Sequence, residues 1–110
     1  FPVTGSPPLL ENLLTNLVKN AVEASPAGET VTVALSGGEG IAVDVYNRGV
    51  VPEEIRENFF GKYVTWNKEN GIGLGTYIAR VIARAHGGDV SFTTDKAAGT
   101  HVTVTLPRLP

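Results

Sequence analysis

The stretch Gly71-Ile72-Gly73-Leu74-Gly75-Thr76 limits what this chain can fold into more than any other. Three glycines alternate with other residues and lead into Tyr77 to His86, where Ile78, Val81, Ile82 and Ala85 recur at helical spacing. Gly87-Gly88 closes that helix, because glycine takes the left-handed C-cap conformation without steric cost. A glycine turn is thus delivered to a helix N-terminus, whose unpaired N–H groups and positive dipole end suit an anion such as phosphate. Glycine also lets the main chain approach such an anion closely. The turn is not a Walker A loop, since no Lys-Ser or Lys-Thr follows the last glycine, and not a Rossmann fingerprint, since no strand runs directly into it. A tight loop ahead of a core helix is the other reading of the same residues.

The totals narrow the field. With 110 residues, 42% of them hydrophobic, the chain makes one domain, 1–110, around one core. A net charge of -2 argues against a general binder of nucleic acid or membrane surface, yet permits a few cations around a bound phosphate. The absence of cysteine removes disulfides, thiolate metal sites and cysteine nucleophiles. His86 and His101 lie far apart, without metal-ligand spacing. There is no apolar run long enough to span a membrane, and no signal peptide is expected. The chain opens on Phe1 and not on methionine, as expected of a piece of a larger protein.

Residues 1–8 are expected to be an extended lead-in, with Ser6 capping a helix and Pro7 and Pro8 in its first turn. That helix should run from Leu9 to Ala24, with Leu10, Leu13, Leu14, Leu17, Val18 and Ala21 on its core face. Beside this face lie Asn12, Asn16 and Asn20, four residues apart on one stripe. Asparagine is a mediocre helix former, so this stripe is either a solvated edge or a set of amide ligands on a pocket wall. Asn20 abuts the apolar face and should be at least half buried. Thr30 to Ser36 alternates as a half-buried strand, and Ile41 to Tyr46 returns after the loop Gly37-Gly38-Glu39-Gly40. Asn47-Arg48-Gly49 breaks that strand. Pro52-Glu53-Glu54-Ile55 starts a short helix with acids in its first turn, and Phe59 and Phe60 close it against the core. Gly61 to Asn70, with Lys62, Trp66 and Lys68, has the composition of a lid. Strands follow at Asp89 to Thr94 and Thr100 to Leu106. Two antiparallel hairpins and two amphipathic helices predict an α+β fold, a two-layer sandwich whose sheet is covered by helices on one face.

Three separated stretches now fall into one pattern: Asn16-Leu17-Val18-Lys19-Asn20-Ala21, then Asn47-Arg48-Gly49 with Pro52-Glu53-Glu54-Ile55 and Phe59-Phe60, then Gly71 to Thr76 ending in His86-Gly87-Gly88. In this order they resemble the N, G1, F and G2 boxes of the ATP-binding catalytic domain of bacterial sensor histidine kinases. Gly99-Thr100 and Thr103 to Pro107 resemble that domain's last hairpin. The resemblance implies the Bergerat α/β sandwich, a cytoplasmic domain, and ATP and Mg²⁺ as ligands. It implies that Asn20 ligates the Mg²⁺ bridging the phosphates and that Asn16 lines the same site. An amide oxygen suits this hard cation, which usually takes few protein ligands. It implies that Gly71, Gly73, Leu74, Gly75 and Thr76 hold the phosphates, that Lys62 and Lys68 contact them, that Asn47 accepts a hydrogen bond from the adenine amino group, and that Gly49 lets the backbone approach the base. The implied partners are a histidine-bearing dimerisation domain of the same protein and a response regulator, with no nucleic acid and no direct membrane contact.

Asn16 also separates branches of this superfamily. The topoisomerase- and chaperone-like ATPases carry a glutamate there to activate water, and asparagine cannot act as a general base. The resemblance therefore implies a domain that presents ATP for transfer and hydrolyses it slowly. An anti-sigma-type serine kinase of the same fold is disfavoured on the same ground. The first box of glycines departs from the family's Asp-x-Gly-x-Gly: Asn47 replaces the aspartate and Val51 the second glycine. Glu23 stands where a basic residue is frequent. Asn47 keeps a carbonyl oxygen but loses the charge, and a charge-assisted hydrogen bond is about twice as strong as a neutral one, so weaker nucleotide affinity is expected. The rival reading is a degenerate nucleotide-binding or protein-interaction module without turnover.

Overall fold

Leu13, Leu17 and Ala21 lie four residues apart on the first helix and are fully buried, which fixes the side it turns to the rest of the molecule. The computed structural model describes residues 7–25, 28–38, 40–61 and 75–107. In chain order these form helix α1 (Pro7–Ala24), strands β1 (Thr32–Ser36) and β2 (Gly40–Asn47), a 3-10 helix at Glu53–Asn58, helix α2 (Gly75–Ala85), and strands β3 (Asp89–Asp95) and β4 (Gly99–Pro107). The expected capping by Ser6 and the expected lid lie outside the described residues.

The strands make one antiparallel sheet in the order β1-β2-β4-β3. Its register stacks Val43 beside Val104 and Val45 beside Val102, with Val90 on the far side of Val104. These valines face the two helices, and side chains alternate across a strand, so the opposite face carries Asp44, Tyr46, His101 and Thr103. There His101 Nδ1 lies 2.7 Å from the Asp44 carboxylate, and Thr103 Oγ1 donates to the same group at 2.9 Å. The α+β two-layer architecture with helices on one face is therefore present as expected.

Three local expectations are corrected. β1 is not half buried: all five of its residues are exposed, including Val33 at 53% and Leu35 at 58%. The helices pack over β2, β3 and β4, leaving β1 an uncovered edge. Leu14, expected in the core, is exposed. On α2 the inward face is Thr76, Ala79, Ile82 and Ala83, while Val81 and Ala85 point outward. Small residues win this face because α1 and α2 pack side by side, and alanine lets two backbones come close.

The glycine pair ends α2 as anticipated. Gly87 takes φ 82°. Gly87 N–H donates to the Arg84 carbonyl at 3.1 Å and Gly88 N–H to the Ala83 carbonyl at 2.9 Å, a Schellman motif. The helix is also tied to β3, since Asp89 accepts from Nε of both Arg80 and Arg84 at 3.1 Å. Those guanidiniums and the Val90 N–H hold the Asp89 carboxyl at a pKa of about 2, well below its ordinary value. Arg80 further caps the face of Phe60, which packs edge-on against Phe59 and Phe92. Among the described residues no helix is long and apolar enough to cross a membrane.

Candidate functional site

A polar side chain taken out of water must be compensated, so buried polar residues mark places where a fold has been built for something other than packing. Among the described residues the buried polar ones are Asn20 (6% exposed), Asn47 (3%), Thr76 (5%) and Thr100 (3%). Each comes from a motif stretch identified in the sequence, and together they trace one strip of the molecule.

The strip runs along α1. Asn16, Asn20 and Ala24 are successive positions on one helix stripe. At Asn16 the helix meets the start of α2: a Cβ placed on Gly75 would lie 3.4 Å from Asn16 Oδ1. The Asn16 amide is oriented for this by Asn12, whose carbonyl accepts from Nδ2 at 3.0 Å and whose side-chain oxygen accepts from the same nitrogen. At Ala24 the helix meets the segment after β2: a Cβ on Gly49 would lie 2.5 Å from the Ala24 carbonyl oxygen and 2.9 Å from Asn47 Nδ2. Only glycine permits that approach. The eight residues from Asn16 to Ala24 rise about 12 Å, with Asn20 buried between the two meeting points.

The outer end of the strip is held by a chain of hydroxyls. Thr100, paired across the sheet with Asn47, donates from Oγ1 to the Gly49 carbonyl at 2.8 Å. Its only proton is thereby committed, so the 2.8 Å contact with Thr94 Oγ1 must be donated by Thr94. Thr94 in turn accepts from the Val51 N–H at 2.9 Å. The relay Val51, Thr94, Thr100, Gly49 clamps both ends of the Gly49–Val51 turn onto the last hairpin. Asn47 Nδ2, beside it, is buried without a hydrogen-bond partner. At the other end Thr76 donates from Oγ1 to the Phe59 carbonyl at 2.8 Å, which pins the first turn of α2 to the end of the 3-10 helix. That proton is not available to a phosphate, so what Thr76 offers an anion is its main chain.

The structure thus brings Asn16, Asn20, Asn47, Gly49, Gly75 and Thr76 onto one strip. Lys62, Lys68, Gly71, Gly73 and Leu74 lie outside the described residues. Sequence reasoning did not single out Thr94 and Thr100 as site residues. Their signal was available: each is a threonine on the inward face of its strand, where Val90 and Phe92, or Val102 and Val104, occupy the neighbouring inward positions. The two histidines are placed apart from the strip. His86 Nδ1 lies 2.8 Å from the Ile82 carbonyl at the end of α2, and His101 is on the opposite face of the sheet. Among the described residues no group of three His, Cys, Asp or Glu is placed to hold a metal ion.

Residues 5–110 match the family model described as histidine kinase-, DNA gyrase B- and HSP90-like ATPase. The chain is 37% identical over 113 residues to the sensor protein CutS of Streptomyces coelicolor, covering 96% of this chain and 27% of that protein. It is 35% identical to the histidine protein kinase SaeS of Staphylococcus aureus, covering 91% of this chain and 31% of that one. The chain therefore spans about a third or less of the length of these curated relatives. Among solved structures it superposes on a mycobacterial sensor histidine kinase, MprB, with a TM-score of 0.85 at 25% identity, covering 98% of this chain and 78% of that one. On the nucleotide-free catalytic domain of histidine kinase ThkA the TM-score is 0.81 at 29% identity, covering 96% and 70%. The chain belongs to the histidine kinase-, DNA gyrase B- and HSP90-like ATPase family, as an ATP-binding catalytic domain of the sensor histidine kinase kind.

Proposed function

We propose that this domain binds Mg-ATP along the Asn16–Ala24 stripe and presents its γ-phosphoryl group to a histidine outside this chain, for relay to a response regulator. The observation that carries the reading is the strip itself: a buried Asn20 lies between a glycine-bounded contact at Asn16 and a second one at Ala24. The base would lie at the Asn47–Gly49 end. There the carboxamide of Asn47 would accept from the exocyclic amino group, beside Gly49, whose missing Cβ lets the segment after β2 close on the Ala24 carbonyl. The phosphates would lie at the Asn16–Gly75 end, beside the N-terminus of α2, where helix N–H groups favour anions. Gly71, Gly73, Leu74, Lys62 and Lys68 would complete that end.

Asn20 would hold the Mg²⁺ through its amide oxygen, with phosphate oxygens and water supplying the remaining ligands, a donor set that suits this cation. When bound, the ion offsets the charge of the phosphates and fixes their orientation. The protein's own part is positioning. Asn16, whose amide neither takes nor gives a proton at this pH, leaves water near the phosphates unactivated. The β–γ P–O bond then breaks only against a histidine nitrogen, forming a phosphorus–nitrogen bond and releasing ADP. His86 and His101 are both turned away from this role, so the acceptor is expected on a separate dimerisation domain.

Titration with Mg-ATP and Mg-ADP tests the reading, with calorimetry or the fluorescence of Trp66, the single tryptophan, as readout. Binding weakened at least tenfold by Asn20→Ala, with its Mg²⁺ dependence lost, is expected. No binding at millimolar nucleotide would instead favour an interaction module without turnover. Binding unaltered by Asn20→Ala would remove the metal assignment.

A further inference from the structure

The free edge at β1 lacks the devices by which sheets protect their edges. An edge strand offers unpaired N–H and C=O groups to any other strand, and natural sheets blunt it with lysine, proline, bulges or inward-pointing charges. β1 reads Thr-Val-Ala-Leu-Ser, without a charge or a proline, and it pairs with β2 residue for residue, without a bulge. Val33 and Leu35 stand on the helix side of the sheet, in register with Val45 and Val43, yet they are 53% and 58% exposed. On α1, Leu10, Leu14, Val18 and Val22 form a stripe four residues apart, with Leu14 38% and Val22 57% exposed. Leu14 and Leu35 wall an apolar groove of about 170 Å³ together with Leu10, Ile41 and Leu106. Of the exposed large apolar residues among those described, only Val81 lies on neither α1 nor β1. Apolar surface gathered in this way marks an interaction site.

The sequence of β1 says what fits it. Turned by half a circle about an axis through Ala34 and normal to the sheet, β1 meets a second copy of itself as an antiparallel neighbour. Ala34 then faces the copy's Ala34, Val33 faces its Leu35, and Thr32 faces its Ser36. Opposed residues of an antiparallel pair share one face, so the four apolar side chains gather on the helix side and the hydroxyls on the other. The same rotation keeps both α1 helices on the helix side, where each groove opens toward the pooled valines and leucines. No charge within the strand opposes its own copy, and a net charge of -2 sets little repulsion between two chains. We infer that the β1 edge is a self-association surface, through which two copies of this chain join their four-stranded sheets into one about a two-fold axis at Ala34. The surface is separate from the nucleotide strip. Asn16 and Asn20 are two positions on from Leu14 and Val18, about 200° around α1.

Sedimentation equilibrium of the unaltered chain tests this, from about 1 µM to 1 mM, the range in which an interface at the small end of the size scale associates. The mass is expected to rise from 11.6 kDa toward twice that value. Ala34→Lys and Ala34→Glu each set like charges face to face across the axis, and each should weaken association by about threefold or more. Mixed in equal amounts, the two variants should associate more tightly than either alone, because only a contact in which position 34 meets position 34 turns both repulsions into one attraction. A mass of 11.6 kDa at every concentration leaves the edge to a strand of some other chain and overturns the inference. Association that neither variant weakens, or a mixture no tighter than its parts, overturns it too. Should the variants fail to fold, judged by circular dichroism, the concentration dependence of the unaltered chain decides alone.

Discussion

The hydroxyl relay at the base end of the strip makes a quantitative prediction. Thr100→Val keeps the shape of the side chain and removes its hydroxyl, leaving the Gly49 carbonyl without its donor and the Thr94 hydroxyl without its acceptor. The site is buried, with Thr100 3% exposed, so water cannot replace what is lost. A buried polar group stripped of its partner costs about 1–3 kcal/mol, and ~2 kcal/mol is a central value. Unfolding entropy of roughly 2.1 cal/mol/K per residue gives about 0.23 kcal/mol/K for a chain of 110 residues, so the melting temperature should fall by about 9 °C. Thermal unfolding followed by circular dichroism measures it. Thr93→Val, one position along β3 from Thr94 and on the solvent side, is the control and should stay within about 0.5 kcal/mol. Thr94→Val should resemble Thr100→Val, and the double variant should lose less than the sum, because the two hydroxyls share one bond. A melting temperature within about 2 °C of the parent for Thr100→Val, or strict additivity in the cycle, would show that the relay does not clamp the turn.

Three further outcomes are expected. Gly49→Ala places a methyl 2.5 Å from the Ala24 carbonyl oxygen, a backbone atom that cannot swing aside, so stability should fall by about 1–3 kcal/mol and nucleotide affinity with it; an unchanged denaturant midpoint would refute the close approach. Asp89 has a folded-state pKa of about 2 against 3.8 when unfolded, so its ion pairs add stability that is fully present above pH 4 and lost as pH falls through 2. Its side chain is 48% exposed and solvent screens the pairs, so the amount is under about 1 kcal/mol, and Asp89→Asn should flatten that acid limb of the stability curve. Asn16→Glu supplies the general base that the site lacks and should raise the slow release of phosphate from Mg-ATP, read by a coupled phosphate assay; no change would argue that Asn16 does not face the phosphates.

Element order was legible from local chemistry. The period of Leu13, Leu17 and Ala21, the alternation of Ile41, Val43 and Val45, and the glycine pair at Gly87-Gly88 each specify a structure through atoms a few residues apart. The strip's residues were legible for a related reason. Asparagines on a helix stripe and a glycine turn before a helix are poor choices for packing, and they stand out in the sequence for that alone.

What the sequence could not decide was everything that depends on distant partners. Strand alternation names an inward face but not the neighbour, so the order β1-β2-β4-β3 came only from the folded sheet, which sets β4 between β2 and β3. That order leaves β1 at the edge, and its alternating Val33 and Leu35 stay exposed although their pattern matches a buried strand. The same holds at the site. Nothing near Thr94 or Thr100 in the chain reveals that they clamp Gly49 and Val51, because the hydrogen bonds close loops of 43 and 51 residues. Residue type fixed what each group can donate or accept, and the tertiary fold decided which groups it meets, since a hydrogen bond reaches about 3 Å whatever the distance along the chain.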